Sequence, residues 1–197
     1  MFYRAARRLF LILAAPLFRF RVTGAEGLPP SGGAILVAGH RSWLDPACVA
    51  GACRRPIRFL IRHNVYHKPW ARWFYRRMGG IPVRAGGSGS VAALRSALRV
   101  LQRGEILGVF PEGRVVPGGL GRVHPGAAML SVRAQVPVIP LHIRGSDRAW
   151  PHGKRSPRPA PVSVRVGEML MPPRDRGREA IEAMSRRIEA RLGEEFS

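Results

Sequence analysis

Short apolar runs alternate along this chain with stretches of helical periodicity, and that alternation predicts a layered α/β domain. "FRFRV" and "AILVAG" read as strands, and Ser42 to about Cys53 reads as a helix. "IRFLI" is a further strand, followed by "PWARWFYRRMGG", a short aromatic and basic helix stopped by Gly79 and Gly80. The clearest helix is "SGSVAALRSALRVLQRG", with Ser88 or Ser90 as its cap, Leu94, Leu98 and Leu101 on one face, and Gly104 as its stop. "EILGVF" follows as a buried strand that runs into "PEGR", and "PGAAMLSVRAQ" as a helix. "VPVIPLHIRG" is apolar enough for the centre of a sheet, except that its prolines suit an edge. "SDRAWPHGKRSPRPA" reads as an exposed loop. "PVSVRVGE" is a last strand, and a closing amphipathic helix carries Ile181, Met184, Ile188 and Leu192 at helical spacing. No internal repeat is visible, and 197 residues suit one well-buried core rather than two.

The N-terminal 24 residues change this picture. Arg4, Arg7 and Arg8 precede an apolar run from Leu9 to Phe18, and Arg19 and Arg21 follow it. Ten apolar residues are too few to cross a bilayer, which takes about 20 in a helix. A secretory signal is the rival, but charged "FRFRV" stands where a small-residue cleavage site would be. The pattern fits a helix at 1–18 lying in the membrane interface, with Leu9, Phe10, Leu11 and Phe18 in the acyl boundary and arginines on anionic headgroups. The plainer alternative is a first helix packed on the core of a domain at 19–197. Trp70 and Trp73 are further candidate membrane contacts.

Charge supports an anionic partner. The chain holds 33 Lys+Arg against 12 Asp+Glu, a formal net charge of +21, and only Lys68 and Lys154 are lysines. Such a field attracts a bilayer or nucleic acid, although compositional bias toward arginine would also produce it. Hydrophobic residues at 46% exclude a wholly disordered chain. Cys48 and Cys53 have no further cysteine to complete a zinc site or a disulfide framework, so buried free thiols in a reducing compartment are expected.

Candidate chemistry begins at "AGHRSWLDP", where His40 leaves a buried strand five residues before Asp45. The C-terminal edge of a strand is where open α/β sheets place ligands. Ser42 and Asp45 have the spacing of a capping box, so Asp45 reads as a helix cap, as an orienting partner for His40, or as both. Three further stretches carry candidate residues: "GGIPVRAGG" with Arg84 between glycine pairs, "VFPEGR" with Phe110, Pro111, Glu112, Gly113 and Arg114 ending a strand, and "VPVIP" with Pro137 and Pro140. Taken singly, each reads as an ordinary loop or edge strand.

In this order, the four stretches resemble the sequence blocks of the glycerophospholipid acyltransferases, in particular the bacterial 1-acylglycerol-3-phosphate acyltransferases. The resemblance covers roughly Phe20 to Gly167. It implies a single-domain α/β fold, a mixed sheet flanked by helices. It further implies His40 as general base, Asp45 as its orienting partner, Arg84 as a phosphate ligand, and Phe110, Pro111, Glu112, Gly113 and Arg114 around the acceptor, with Pro140 on the apolar acyl side. The donor would be acyl-CoA or acyl-carrier protein, the acceptor a lysophospholipid, with no metal and no bound cofactor. The place of action would be the cytoplasmic face of a bacterial inner membrane, the protein being peripheral or monotopic. Two positions depart from the family's usual pattern: Gly39 stands where Asn precedes the histidine, and Arg114-Val115-Val116 replaces Thr-Arg-Ser. These bear on the acceptor's headgroup more than on the chemistry, and a lyso-aminolipid acceptor is the alternative. A basic nucleic-acid-binding protein explains the charge but not the ordered motifs, so no nucleic acid is expected. No G-x-S-x-G elbow is present, which argues against a serine hydrolase.

Overall fold

The computed structural model describes residues 2–84, 87–116 and 120–194, apart from the side chains at 70 and 87–90. Seven strands form one sheet: β1 (Arg21–Thr23), β2 (Ala34–Ala38), β3 (Ile57–Arg62), β4 (Ile81–Val83), β5 (Ile106–Val109), β6 (Val138–Arg144) and β7 (Ser163–Val166). Their order is β1-β7-β6-β2-β5-β3-β4. Among the described strand pairs, only β6–β7 is antiparallel. This is the layered α/β arrangement that the alternation of apolar runs predicts, with the mixed sheet that the family resemblance implies.

Both faces of the sheet are covered, which explains why the central strands read as unbroken apolar runs. Ala34, Leu36, Ala38, Ile57, Ile106, Ile139 and Leu141 face α1 (Phe2–Phe18) and α2 (Asp45–Ala52). Ile35, Val37, Leu107, Val109 and Val138 face the other layer, built from α5 (Gly87–Gln102), α6 (Gly126–Ala134) and α8 (Arg178–Gly193). Met184, Ile188 and Leu192 of α8 are fully buried there, as their spacing requires. The backbone of α5 already begins at Gly87, so Ser88 and Ser90 lie inside its first turn rather than ahead of it as caps.

Pro140 sits in a central strand, not at an edge. Its carbonyl accepts the Gly167 N–H at 2.8 Å just past the end of β7, so its missing donor falls where the ladder has already stopped. Ile139 and Leu141 point toward α1 and α2, and strand alternation therefore turns Pro140 to the opposite face, where it is buried with His142.

α1 is amphipathic, but its apolar run divides between two faces. Tyr3, Ala14 and Phe18 are buried and Phe10 stacks edge-on against Phe20, with centroids 5.5 Å apart. Arg7 donates to the carbonyls of Ala50 and Gly51 at 3.0 and 2.9 Å, closing the C-terminal end of α2. Leu9, Ile12 and Leu13 face outward, while Leu11 is half-buried. Phe10 and Phe18 are thus core residues and not lipid contacts. A left-handed Arg19, at φ 44°, ends the helix and turns the chain into β1, which is why "FRFRV" is only partly strand.

Four short elements, of three or four residues, escaped the pattern. They are the 3-10 turn Ala25–Gly27, β4, α3 (His63–Tyr66) and α7 (Ser146–Ala149). The α7 turn opens a segment that reads as wholly exposed, yet Ala149 is fully buried. α4 (Pro69–Met78) carries Trp73 and Phe74 outward and ends at Gly79; the side chain of Trp70 lies outside those described.

Candidate active site

Because β2, β5, β3 and β4 are mutually parallel, the chain leaves all four at one edge of the sheet. His40, Phe110, His63 and Arg84 stand just past those four ends. The topology therefore gathers residues from three of the four sequence blocks along one rim.

The turn from His40 to Asp45 does fold back on itself. Asp45 Oδ2 accepts three N–H groups: Nδ1 of His40 at 3.1 Å and the backbone amides of Arg41 and Ser42, each at 2.7 Å. α2 starts at Asp45, with Pro46 fixing its first turn, so the 42–44 segment is a turn ahead of the helix rather than its beginning. Ser42 Oγ accepts the Leu44 N–H at 3.1 Å and donates to the Trp150 carbonyl at 2.7 Å. The carboxylate of Asp45 is 1% exposed and can only accept, so Nδ1 carries a proton toward it, and in the neutral imidazole the lone pair is then on Nε2. The expected capping box is not formed: Leu44 occupies the cap position with no side-chain cap bond, and Asp45 holds the His40 turn ahead of α2 instead.

The Pro-Glu-Gly corner holds His40 from the other side. Glu112 is buried; its Oε2 accepts the His40 N–H at 2.6 Å and its Oε1 the Gly121 N–H at 3.1 Å. Val116 N–H donates to the His40 carbonyl at 2.7 Å. Both backbone groups of His40 are thus fixed by a segment more than 70 residues away, while Phe110 stacks on the imidazole, centroids 4.3 Å apart. The corner is a β-turn in which Gly113 N–H reaches the Phe110 carbonyl at 3.0 Å, with Gly113 at φ 69°, a conformation glycine adopts without strain. Burial pushes the Glu112 carboxyl above its ordinary range, against the two amides that favour its ionised form.

Both Glu112 oxygens accept backbone amides, one of them that of His40, so its carboxylate holds the His40 turn in place. Pro111 is buried, with its carbonyl accepting the His124 N–H at 3.0 Å. Gly113 and Arg114 are exposed at the rim. Arg84 is exposed at the end of β4 and donates to His63 Nε2 at 3.0 Å. His63 escaped sequence reasoning; the signal available was its place at the C-terminal end of an apolar run, the same position that singled out His40. Desolvation, then the Arg84 cation and His67, hold His63 below its ordinary pKa. Among the described residues, no group of three His, Cys, Asp or Glu could hold a metal ion.

Comparison with known proteins falls on the same residues. A family model described as Acyltransferase matches residues 19–144. A 1-acyl-sn-glycerol-3-phosphate acyltransferase of Borreliella burgdorferi is 28% identical over 146 residues, 73% of this chain and 58% of that protein. A chloroplastic 1-acyl-sn-glycerol-3-phosphate acyltransferase of Arabidopsis thaliana is 28% identical over 141 residues, 70% of this chain and 39% of that protein. A lyso-ornithine lipid O-acyltransferase of Pseudomonas aeruginosa is 32% identical over 133 residues, 67% of this chain and 50% of that protein. The chain thus spans 39% to 58% of the length of these relatives. The crystal structure of the 1-acyl-sn-glycerophosphate acyltransferase of Thermotoga maritima shares the fold, with a TM-score of 0.80 over 98% of this chain and 78% of that one at 24% identity. The matched stretch runs from the end of α1 to the end of β6 and holds the whole His40 rim, and on that match the chain belongs to the acyltransferase family.

Proposed function

We propose that the chain transfers a fatty acyl group from a thioester donor to the free hydroxyl of a lysophosphatidate-like acceptor. One observation carries this reading: an imidazole whose Nδ1 proton is held by a buried carboxylate, at the same sheet edge as an exposed arginine. His40 Nε2 takes the proton as the acceptor's hydroxyl oxygen attacks the thioester carbonyl. As the tetrahedral adduct collapses, the C–S bond breaks and the thiolate leaves with the proton that His40 returns. Asp45 stabilises the transient imidazolium. A thioester is already activated, so positioning and proton removal suffice without a covalent enzyme intermediate. Three strand spacings, about 14 Å, separate the ends of β2 and β4. Side chains reaching inward from both ends can narrow that gap toward the span of a glycerol phosphate, which suits Arg84 as the phosphate ligand.

The outer surface of α1 and α4 supports action at a membrane. Leu9, Ile12, Leu13, Trp73 and Phe74 are exposed, and Phe2 joins the two helices through edge contacts with Trp73 and Phe74, at 5.3 and 6.1 Å. Arg4, Arg8, Arg72, Arg76 and Arg77 surround this patch, with Arg77 over the Trp73 ring at 5.5 Å. No helix among the described residues is long and apolar enough to cross a bilayer. On this reading the enzyme is peripheral or monotopic on an anionic surface, at the cytoplasmic face of a bacterial inner membrane.

The test is thiol release from acyl-CoA and acyl-carrier protein against a panel of lysolipids, run beside His40→Ala. The parent should release thiol only with a lysolipid present, and His40→Ala should be slower by about 10²- to 10⁴-fold. Equal rates would refute the base. Arg84→Ala should raise KM for phosphate-bearing acceptors while sparing phosphate-free ones; a parent that prefers a lyso-aminolipid would transfer the acyl chemistry to that acceptor class.

A further inference from the structure

Beside the His40–Asp45 turn opens a cavity of about 320 Å³, lined by Trp43, Val65, Lys68, Tyr75, Trp150 and Lys154. None of these six has a part in the chemistry derived above. They come from three places: the turn itself, the α3–α4 segment, and the chain after α7. The walls are tied to the turn. Ser42 Oγ bonds the Trp150 carbonyl, Trp150 Nε1 donates to the Lys154 carbonyl at 3.0 Å, and Trp43 stacks on His152 with the planes 15° apart.

The two cations are the informative part. Arginine supplies every other basic side chain among the 33 Lys+Arg, so a uniform bias toward arginine would not select lysine here. Yet Lys68 and Lys154, far apart in sequence, meet at this one cavity. An ammonium on a flexible stem is a compact point charge that suits a phosphate which must arrive and leave, whereas arginine's planar fork favours a fixed bidentate grip. The remaining lining is aromatic and aliphatic. An occupant that matches has an anionic group at one end, an apolar or amide-bearing stem, and a reactive end near His40. Trp43 lies three residues from His40, at most about 11 Å along the chain.

We propose that this cavity seats the 4′-phosphopantetheine arm of the thioester donor, with its phosphate at Lys68 and Lys154 and its stem against Trp43, Val65 and Trp150. The thioester end then lies at His40. Coenzyme A and acyl-carrier protein bear the same arm and phosphate, so the cavity reads what they share. The assignment rests on the thioester reading above and adds to it a second anion site: the reaction has two phosphate-bearing substrates, and Arg84 with His63 at the end of β4 accounts for one of them.

The experiment compares the parent with the Lys68→Ala/Lys154→Ala double variant, using acyl-CoA, acyl-carrier protein, acyl-phosphopantetheine and acyl-pantetheine as donors. The double variant should raise KM for the three phosphate-bearing donors by about tenfold, leaving kcat, lysolipid KM and acyl-pantetheine use within about twofold. A rise confined to acyl-CoA or to acyl-carrier protein, with acyl-phosphopantetheine unchanged, overturns the assignment, because the lysines would then read the nucleotide or the carrier's surface and not the shared phosphate. An unchanged donor KM, or a rise in lysolipid KM instead, overturns it. Binding is read separately by quenching of tryptophan fluorescence with free 4′-phosphopantetheine, which should exceed that with pantetheine and be lost in the double variant and weakened in Trp43→Phe. Equal quenching by the two ligands in the parent also overturns the site. A parent that releases thiol normally while the variant's donor KM stays put removes the cavity assignment alone, whereas a parent inert toward every lysolipid removes the thioester reading itself.

Discussion

Glu112 shows how a residue far from the reacting atoms can fix them. Its carboxylate accepts the His40 and Gly121 amides, one oxygen to each. Glu112→Ala leaves two N–H groups without that acceptor and should cost about 1–3 kcal/mol of stability, with kcat falling more than KM because His40 loses its backbone anchor. Glu112→Gln keeps one accepting oxygen and should recover part of both losses. Burial raises the Glu112 pKa, so the folded state holds this proton more tightly than the unfolded chain. Its contribution is then present below the ordinary value of 4.5 and lost as pH rises through the higher folded value. Melting temperatures from pH 7 to pH 4 should show the parent gaining on Glu112→Gln as the solution is acidified; a constant difference would place the carboxyl in water. Sequence made His40 and Asp45 visible because their spacing is local, and Glu112 because it sits in a Pro-Glu-Gly turn after a buried strand. The grip of Glu112 on a backbone amide 72 residues away is a tertiary fact, and no spacing encodes it.

At the scale of elements, α1 does two jobs on two faces. Gly51 of α2 allows its inner face to approach: a Cβ there would lie 2.9 Å from Phe10 and 3.0 Å from Phe20. Gly51→Val should therefore push α1 away and lower the melting temperature, the overpacking costing about 1–3 kcal/mol. Replacing Leu9, Ile12 and Leu13 together with Ser touches only the outer face. That variant should keep the parent's melting temperature and lose most of its pelleting with anionic vesicles; undiminished pelleting would mean that α1 does not dock the protein. The ten-residue apolar run was legible as a helix, but its hydrophobicity alone assigned Phe10 and Phe18 to lipid. Helical periodicity gives them to the core, since they fall on the side of Tyr3 and Ala14. β4 and α3 escaped for a different reason: three or four residues carry too little periodicity to register, and only pairing with β3 reveals β4.

Across the whole molecule, the alternation of apolar runs with helices was enough for the α/β class, while strand order and the face given to each β6 residue required the assembled sheet. That sheet buries a histidine outside the His40 rim. His142 lies in β6 on the face packed by α8, 2% exposed, and its Nδ1 has no hydrogen-bond partner among the described residues. Burial lowers its pKa, Arg165 and Arg144 add to the effect, and Glu194 opposes it. The folded state thus resists a proton that the unfolded chain accepts near 6.5. By linkage, the stability His142 contributes is complete above that value and drains away as pH falls below it. His142→Leu removes the titration and fills a site next to Pro140 with an apolar group. Chemical denaturation between pH 8 and pH 5 should show the parent losing stability on acidification with a steeper slope than the Leu variant. Parallel slopes would mean that His142 takes its proton as readily in the sheet as in the open chain, with the Glu194 carboxylate offsetting both the burial and the two arginines.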